Sequence, residues 1–270
     1  MVRYKKHRRR YKKSRRKKSL KKFLLISFLI LILAGGGIYF FFFSSVLDVK
    51  EIEISGNEKV KEEELKGIIE DRVFKKLLFF SPKNIFFLDL QSPREEILRS
   101  FPQIYEARFK RKIPSKIVVE VEERKRVGLF YSKDGSYLID KEGIIFEVAF
   151  PRDVSNKESP DLIIKSEKTN LNLGERVVEK ESLEKILRIQ TALDILKIGV
   201  RDFTFPSSER LDVGTLEGWK IYFSLTYDLD WQITKLKLAL EKEIPPESRE
   251  ELEYIDLRFE NMVYPKWTPF

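Results

Sequence analysis

The chain has 270 residues, with 52 Lys and Arg against 43 Asp and Glu, one His, no Cys and a formal charge of +9. The absence of Cys excludes disulfides, thiol catalysis and cysteine metal sites, so an exported domain here must rest on its apolar core. The positive charge is local: the first 22 residues hold 14 Lys or Arg and no acid, and the rest carries 38 basic against 43 acidic residues, a net of −5 that speaks against general nucleic-acid binding.

Residues 1–22 show no apolar periodicity, and the spacing predicts a disordered basic cytoplasmic tail. Its cations suit a topological signal, attraction to anionic lipid headgroups, or DNA contact with Tyr4 and Tyr11 interleaved; the first explains the same residues most simply and makes nucleic acid a poor partner. Phe23 to Phe43 is 21 residues without a charge. At about 1.5 Å per residue a helix of that length covers about 31 Å, the hydrocarbon thickness of a bilayer. The charge asymmetry predicts a type II single-pass anchor, amino terminus inside. A signal peptide cleaved near Ala34-Gly35-Gly36 is the rival, but the apolar run continues through Ile38 to Phe43.

Beyond the anchor, Val49 to Ile54 alternates like a half-buried strand and Ser55-Gly56-Asn57 turns it. Val60, Glu64, Leu65, Ile68 and Ile69 recur at helical spacing. Phe74 to Phe80 is either a patch for membrane or partner or a helix end tucked into the core. Ser92-Pro93-Arg94-Glu95-Glu96 predicts a second helix capped by Ser92 and running to about Ser100. Ile104 to Lys112 and Lys116 to Glu122, broken by Ile113-Pro114-Ser115, predict a hairpin. The order β-α-α-β-β makes a small sheet covered on one side by two helices, with Leu65, Ile68, Ile104, Val119 and Val121 in its core.

From Arg126 the chain turns to short strands at 127–131, 136–139 and 144–148, with turns at Lys133-Asp134-Gly135 and Asp140-Lys141-Glu142-Gly143. Leu183, Ile186, Leu187, Leu193 and Leu196 predict a helix over 181–198 with Gly199 at its end. Strands at 203–205, 210–213 and 219–225 precede a helix capped by Asp228, running to about Ile244 and stopped by Pro245-Pro246. The last strands are expected at 253–258 and 261–264.

No catalytic constellation is visible. The one histidine, His7, lies in the tail, the Asp residues of the turns have backbone reasons to be there, and no Gly-rich phosphate loop occurs. We therefore expect no enzyme activity, no catalytic residue, no cofactor, no metal and no small-molecule substrate. A calcium reading of Asp228-Leu229-Asp230 loses to helix capping.

VKEIEISGNEKV, NIFFLDL and FPQIYEARFKRKIPSKIVVEVEER together resemble the POTRA domain of the FtsQ/DivIB family of bacterial division proteins. YLIDKEGIIFEV and YIDLRFENMVYPKW resemble that family's second domain. The resemblance implies an α+β chain: basic tail 1–22, transmembrane helix 23–43, POTRA domain 44–124, and a mostly antiparallel β domain with packing helices, 125–270. It implies a non-enzymatic scaffold that links early and late division proteins at the septum and binds FtsB/DivIC and FtsL to regulate septal peptidoglycan synthesis. The alternatives are a POTRA-containing membrane assembly or secretion component and a cell-wall hydrolase. Ser55-Gly56-Asn57 and Arg111 match the family's turn and strand, with a turn and a solvated strand face as their structural duties. In the family a partner strand adds to the final strand, helped by an aromatic after the I-D-L-R run. That run is Ile255 to Arg258 here, which puts the partner site at Phe259, Glu260, Asn261, Tyr264 and Trp267. A basic contact of some members falls at Ser207 or Ser208, near Arg210, and is unassigned. The competing reading of Phe259 and Trp267 is that they close the core or touch lipid.

Overall fold

The structure, a computed structural model, describes residues 12–73, 83–150 and 162–268. The apolar stretch 74–80, His7, Tyr4 and Tyr11 lie outside the described residues. The chain divides into two compact units: Met1–Ser55, Glu62–Arg94 and Arg108–Glu120 form one, and Gly56–Lys61, Glu95–Ala107 and Val121–Phe270 the other.

The first helix, α1, spans Lys12–Phe43, so it begins inside the basic tail rather than at the apolar run. Disorder was expected from the lack of periodicity, but residues 12–22 hold no Gly or Pro and are mostly Lys and Arg, good helix formers that extend a helix already nucleated next door. Leu20–Phe42 is long and apolar enough to cross a membrane.

Strand β1 (Glu51–Ser55), helix α2 (Glu62–Val73), helix α3 (Gln91–Ser100) and strands β2 (Ile104–Lys112) and β3 (Lys116–Glu123) follow the expected order. The sheet runs β1-β3-β2, with β1 parallel to β3 and Ile52 opposite Ile117, Ile54 opposite Val119. On α2 the buried stripe is Leu65, Ile69 and Val73, every fourth residue, which leaves Ile68 only half-buried, against expectation. Leu65, Ile104, Val119 and Val121 are buried as their spacing predicts.

Two local details depart from the sequence reading. Helix α3 starts at Gln91, and its first N–H groups, of Gln91 and Ser92, donate to Asp89 Oδ1 at 2.9 and 3.3 Å. A carboxylate two residues before a helix takes both donors and adds a negative charge at the positive end, so it displaces the Ser92 cap. Those bonds, led by the one from the Ser92 hydroxyl, hold the Asp89 carboxyl below its ordinary pKa. Arg111 is not simply solvated: its guanidinium donates to the carbonyls of Ile85 and Leu88 at 2.8 Å each. Gly56 is required where it stands, at φ +86°, because a Cβ there would meet the Val121 carbonyl oxygen at 2.1 Å. The turn after it is closed by Glu123, whose Oε1 accepts from the N–H groups of Glu58, Lys59 and Val60 at 2.8, 2.8 and 3.0 Å.

The second unit is built on β4 (Arg126–Tyr131), β5 (Ser136–Asp140), β6 (Ile145–Val148), β7 (Leu162–Lys165), helix α4 (Lys180–Ile195), β8 (Val200–Ser207), β9 (Arg210–Thr215), β10 (Lys220–Ser224), helix α5 (Leu229–Lys242), β11 (Leu252–Asp256) and β12 (Tyr264–Trp267). They form one nine-stranded sheet in the order β12-β11-β10-β9-β8-β7-β4-β5-β6. Consecutive strands joined by tight turns pair antiparallel, whereas β7 with β8 and β10 with β11 pair parallel. The reason is the connection: α4 links the first pair and α5 the second, and a helix returns the chain to the end of the sheet it left. Leu183, Ile186, Ile189 and Leu193 of α4 and Leu236, Ala239 and Leu240 of α5 close the main core over Phe203, Val213, Ile221, Phe223 and Ile255. Leu187, expected inside, is exposed, and Ile189 takes that place. Helix α4 ends not on Gly199 but through Lys197, which adopts φ +58° so that Ile198 N–H reaches Leu193 O at 2.9 Å.

Gly143 turns β5 into β6 at φ +76°, with the Val178 carbonyl oxygen 1.9 Å from where a Cβ would sit. Asp140 closes the same turn, accepting from Glu142 and Ile144 N–H at 2.9 and 3.0 Å and from the Arg124 guanidinium.

Candidate functional site

Helix α5 begins where Asp228 accepts a 2.6 Å bond from Trp231 N–H, as its sequence predicts. Gln232, one turn on, is buried and bonds both main-chain groups of Ser224 at 2.8 and 2.9 Å, which fixes the helix to the end of β10. That docking aims Trp231 and Lys235, four residues apart and so on one face, at the chain between β11 and β12. The Lys235 ammonium donates to Leu257 O at 2.9 Å, to Met262 O at 3.3 Å and to Phe259 O, and the Trp231 indole donates to Glu260 O at 2.8 Å. Residues 257–262 are therefore a clasped turn, and the final strand starts at Tyr264, three residues later than expected. Burial lowers the Lys235 pKa, and the charge of Asp256 offsets part of that.

The clasp decides where the expected site residues go. Phe259 is 50 % exposed, Tyr264 45 % and Trp267 39 %, so none of them closes the core. Phe259 and Tyr264 meet edge to face with centroids 4.7 Å apart, and Glu260 and Asn261 are exposed between them. A shallow hollow of about 220 Å³ opens beside them, lined by Trp231, Lys235, Phe259, Glu260 and Asn261 among others. Trp267 belongs to the same strand as Tyr264 but not to that hollow.

Strand β12 is the end strand of the sheet. Thr268 N–H donates to Glu251 O at 2.7 Å, so by alternation the main-chain groups of Tyr264 and Lys266 face β11 and those of Pro265 and Trp267 face the open side. Pro265 lacks an N–H where the sheet needs none.

On the solvent face of β9 to β12 a charged and aromatic ladder runs up to this edge. Arg210 lies 4.2 Å over the Tyr222 ring, Tyr222 and Tyr254 have centroids 4.8 Å apart, and Lys266 lies 5.6 Å over Tyr254. Asp256 is nearly buried; that burial would raise its pKa, but two bonds from Arg258 at 2.6 and 2.9 Å overcome it and the net effect is a lowered value. Among the described residues no group of three or more His, Cys, Asp or Glu is arranged to hold a metal.

The POTRA domain family of FtsQ type matches residues 47–124. The chain carries an FtsQ-type POTRA domain. It is also similar to a cell division protein DivIB of Clostridium tetani, 31 % identical over 140 residues, 51 % of this chain and 48 % of the relative. A second cell division protein DivIB, of Clostridium acetobutylicum, is 25 % identical over 176 residues, 65 % of this chain and 64 % of that relative. The chain thus spans about half of one relative and just under two thirds of the other. Together the three matches support a protein of the FtsQ/DivIB family. The POTRA match ends before β4, so it does not reach the β12 edge.

Trp231 and Lys235 were missed by sequence reasoning. Lys235 sits among Leu229, Leu236, Ala239 and Leu240 on a helix otherwise amphipathic, and a single charge next to an apolar stripe was the available signal.

Proposed function

We propose that this protein is a non-enzymatic scaffold of bacterial cell division, anchored by α1 with its amino terminus in the cytoplasm and its folded units outside. The DivIB relatives support a role in division, and the apolar helix supports a membrane anchor. The open β12 edge carries the finer reading. Among the described residues no strand faces the main-chain groups of Pro265 and Trp267, which lie beside half-exposed Phe259, Tyr264 and Trp267, an arrangement suited to receiving an added strand, with main-chain bonds giving affinity and the aromatics selectivity. The partner of our proposal is an FtsB/DivIC-type strand, with an FtsL-type protein in the same complex, and the consequence of binding is control of septal peptidoglycan synthesis. The basic tail contributes attraction to anionic headgroups.

The test is a pull-down of division proteins from cells carrying the full chain as Phe259→Ala or Trp267→Ala, with thermal unfolding of each purified variant. Lost partner with an unchanged melting point supports the edge. Full binding by both variants, or a large fall in melting point, moves the site elsewhere, and wall-degrading activity in the purified protein would replace the scaffold with a hydrolase.

A further inference from the structure

The last turn of α1 is tied to a loop of its own unit. The Asn84 side-chain amide donates to the Phe41 carbonyl at 2.8 Å. The Phe41 ring lies 5.0 Å from that of Phe86 and 5.8 Å from that of Phe87, and Phe42 stacks on Phe87 at 5.1 Å. The loop that carries these rings is fixed from behind. Ile85 and Leu88 point into the core, at 0 % and 4 % exposure, and Ile85 N–H donates to Leu47 O at 2.8 Å. Phe86 and Phe87 N–H groups both return to Asn84, at 3.0 Å each, and Arg111 holds the Ile85 and Leu88 carbonyls. Yet Phe86 and Phe87 are 39 % and 55 % exposed. Two large apolar rings left in the open by a loop this constrained are presented, not merely uncovered.

Their depth identifies what they meet. Leu20–Phe42 is 23 residues, about 34 Å of helix, slightly more than the roughly 30 Å of bilayer hydrocarbon. Rings in contact with its last turn therefore lie where hydrocarbon gives way to headgroups, the layer that takes aromatic side chains with one apolar side. Lys83, next in the chain to Asn84 and exposed, adds a cation of the sign that anionic headgroups attract.

We infer that Phe86 and Phe87 are a membrane seat: the two rings enter the interfacial layer of the leaflet in which α1 ends and rest the POTRA domain on lipid. This rests on the membrane-anchor reading of α1 given above.

The chain contains no cysteine, so single labels are clean. The full chain, as Phe87→Cys, Phe86→Cys, Phe28→Cys or Glu209→Cys, is labelled with a nitrobenzoxadiazole fluorophore. It is then reconstituted in phosphatidylethanolamine–phosphatidylglycerol vesicles containing a lipid with a nitroxide near its headgroup. Labels at 86 and 87 should be quenched severalfold more than the label at 209, which sits in the exposed turn between β8 and β9. Quenching at 86 and 87 no greater than at 209, with the label at 28 accessible to a deep-chain nitroxide, overturns the seat and leaves the anchor standing. Shielding of 86 and 87 from both lipid nitroxide and aqueous iodide means that protein covers them, which also overturns it. A label at 28 that no lipid nitroxide reaches overturns the anchor, and the seat with it.

Discussion

A lysine ammonium with three carbonyl partners and almost no water is an expensive way to hold a turn, and Lys235 holds the turn at 257–262 in that way. Lys235→Met keeps the apolar stem but orphans those carbonyls, so we expect a loss of about 2 kcal/mol in urea unfolding and faster amide exchange confined to 257–262. A variant that unfolds like the parent would mean water replaces the ammonium at no cost. Asp256 gives a second prediction. Its folded pKa lies below its unfolded value of about 3.9, so its stabilisation is present above that pH and lost as pH falls through the folded value. The melting point should fall on acidification below about pH 4, and Asp256→Asn should start lower at neutral pH and fall less. Equal falls would assign the acid sensitivity to other carboxylates, Asp202 first, whose pKa is likewise lowered: its own burial opposes the shift, and Lys165 and Arg201 outweigh it. Asp228 and the turn glycines were legible in the sequence because their duties are local. Lys235 was not, because its partners lie 22 to 27 residues away.

At the level of elements, β12 is short and carries a proline on its open side. That strand discourages indiscriminate pairing: at Pro265 an incoming chain finds a carbonyl but no N–H, and only one with matching gaps aligns. Pro265→Thr should restore the donor and let the edge pair with itself, seen as concentration-dependent dimers in sedimentation velocity, whereas a variant that stays monomeric would show that the proline is not what guards it. The strands and helices themselves follow from alternation and 3.6-residue spacing, which is why nearly every one was placed. Their ends were less legible. Asp89 outcompetes Ser92 as a cap, Lys197 replaces Gly199 in the left-handed turn, and the clasp from α5 pushes β12 three residues on. Each is a contest between groups brought close by the fold, some of them far apart in sequence.

For the whole molecule, Arg124 stands at the end of the POTRA match and forms a nearly buried pair with Asp140, at side-chain exposures of 13 % and 2 %. Removing one partner of such a pair costs about 3 to 5 kcal/mol because the other charge stays buried, so Arg124→Ala should destabilise far more than an exposed arginine would. Denaturant unfolding of the full chain measures it, and a cost below about 1 kcal/mol, the value of a surface pair, would contradict the burial. Our proposed domain boundary near residue 124 predicts that a fragment of residues 46–124 unfolds cooperatively and loses about 2 to 4 kcal/mol on Leu65→Ala. Protease added to spheroplasts should remove everything beyond Phe43 and spare the tail; a mature chain beginning near Gly36 would refute the anchored topology. The order of parts was readable from the sequence, but one continuous nine-stranded sheet was not, since strand order depends on which connections are helical and where they land. The tie between α1 and the Asn84 loop has a mechanical side as well. A helix slightly longer than the membrane is thick adapts by tilting, kinking or thickening the bilayer around it, and the Asn84 bond at Phe41 ties the last turn of α1 to the loop behind it. On the proposed anchor, a change in bilayer thickness is therefore handed on to the Asn84 loop instead of being lost at the end of the helix.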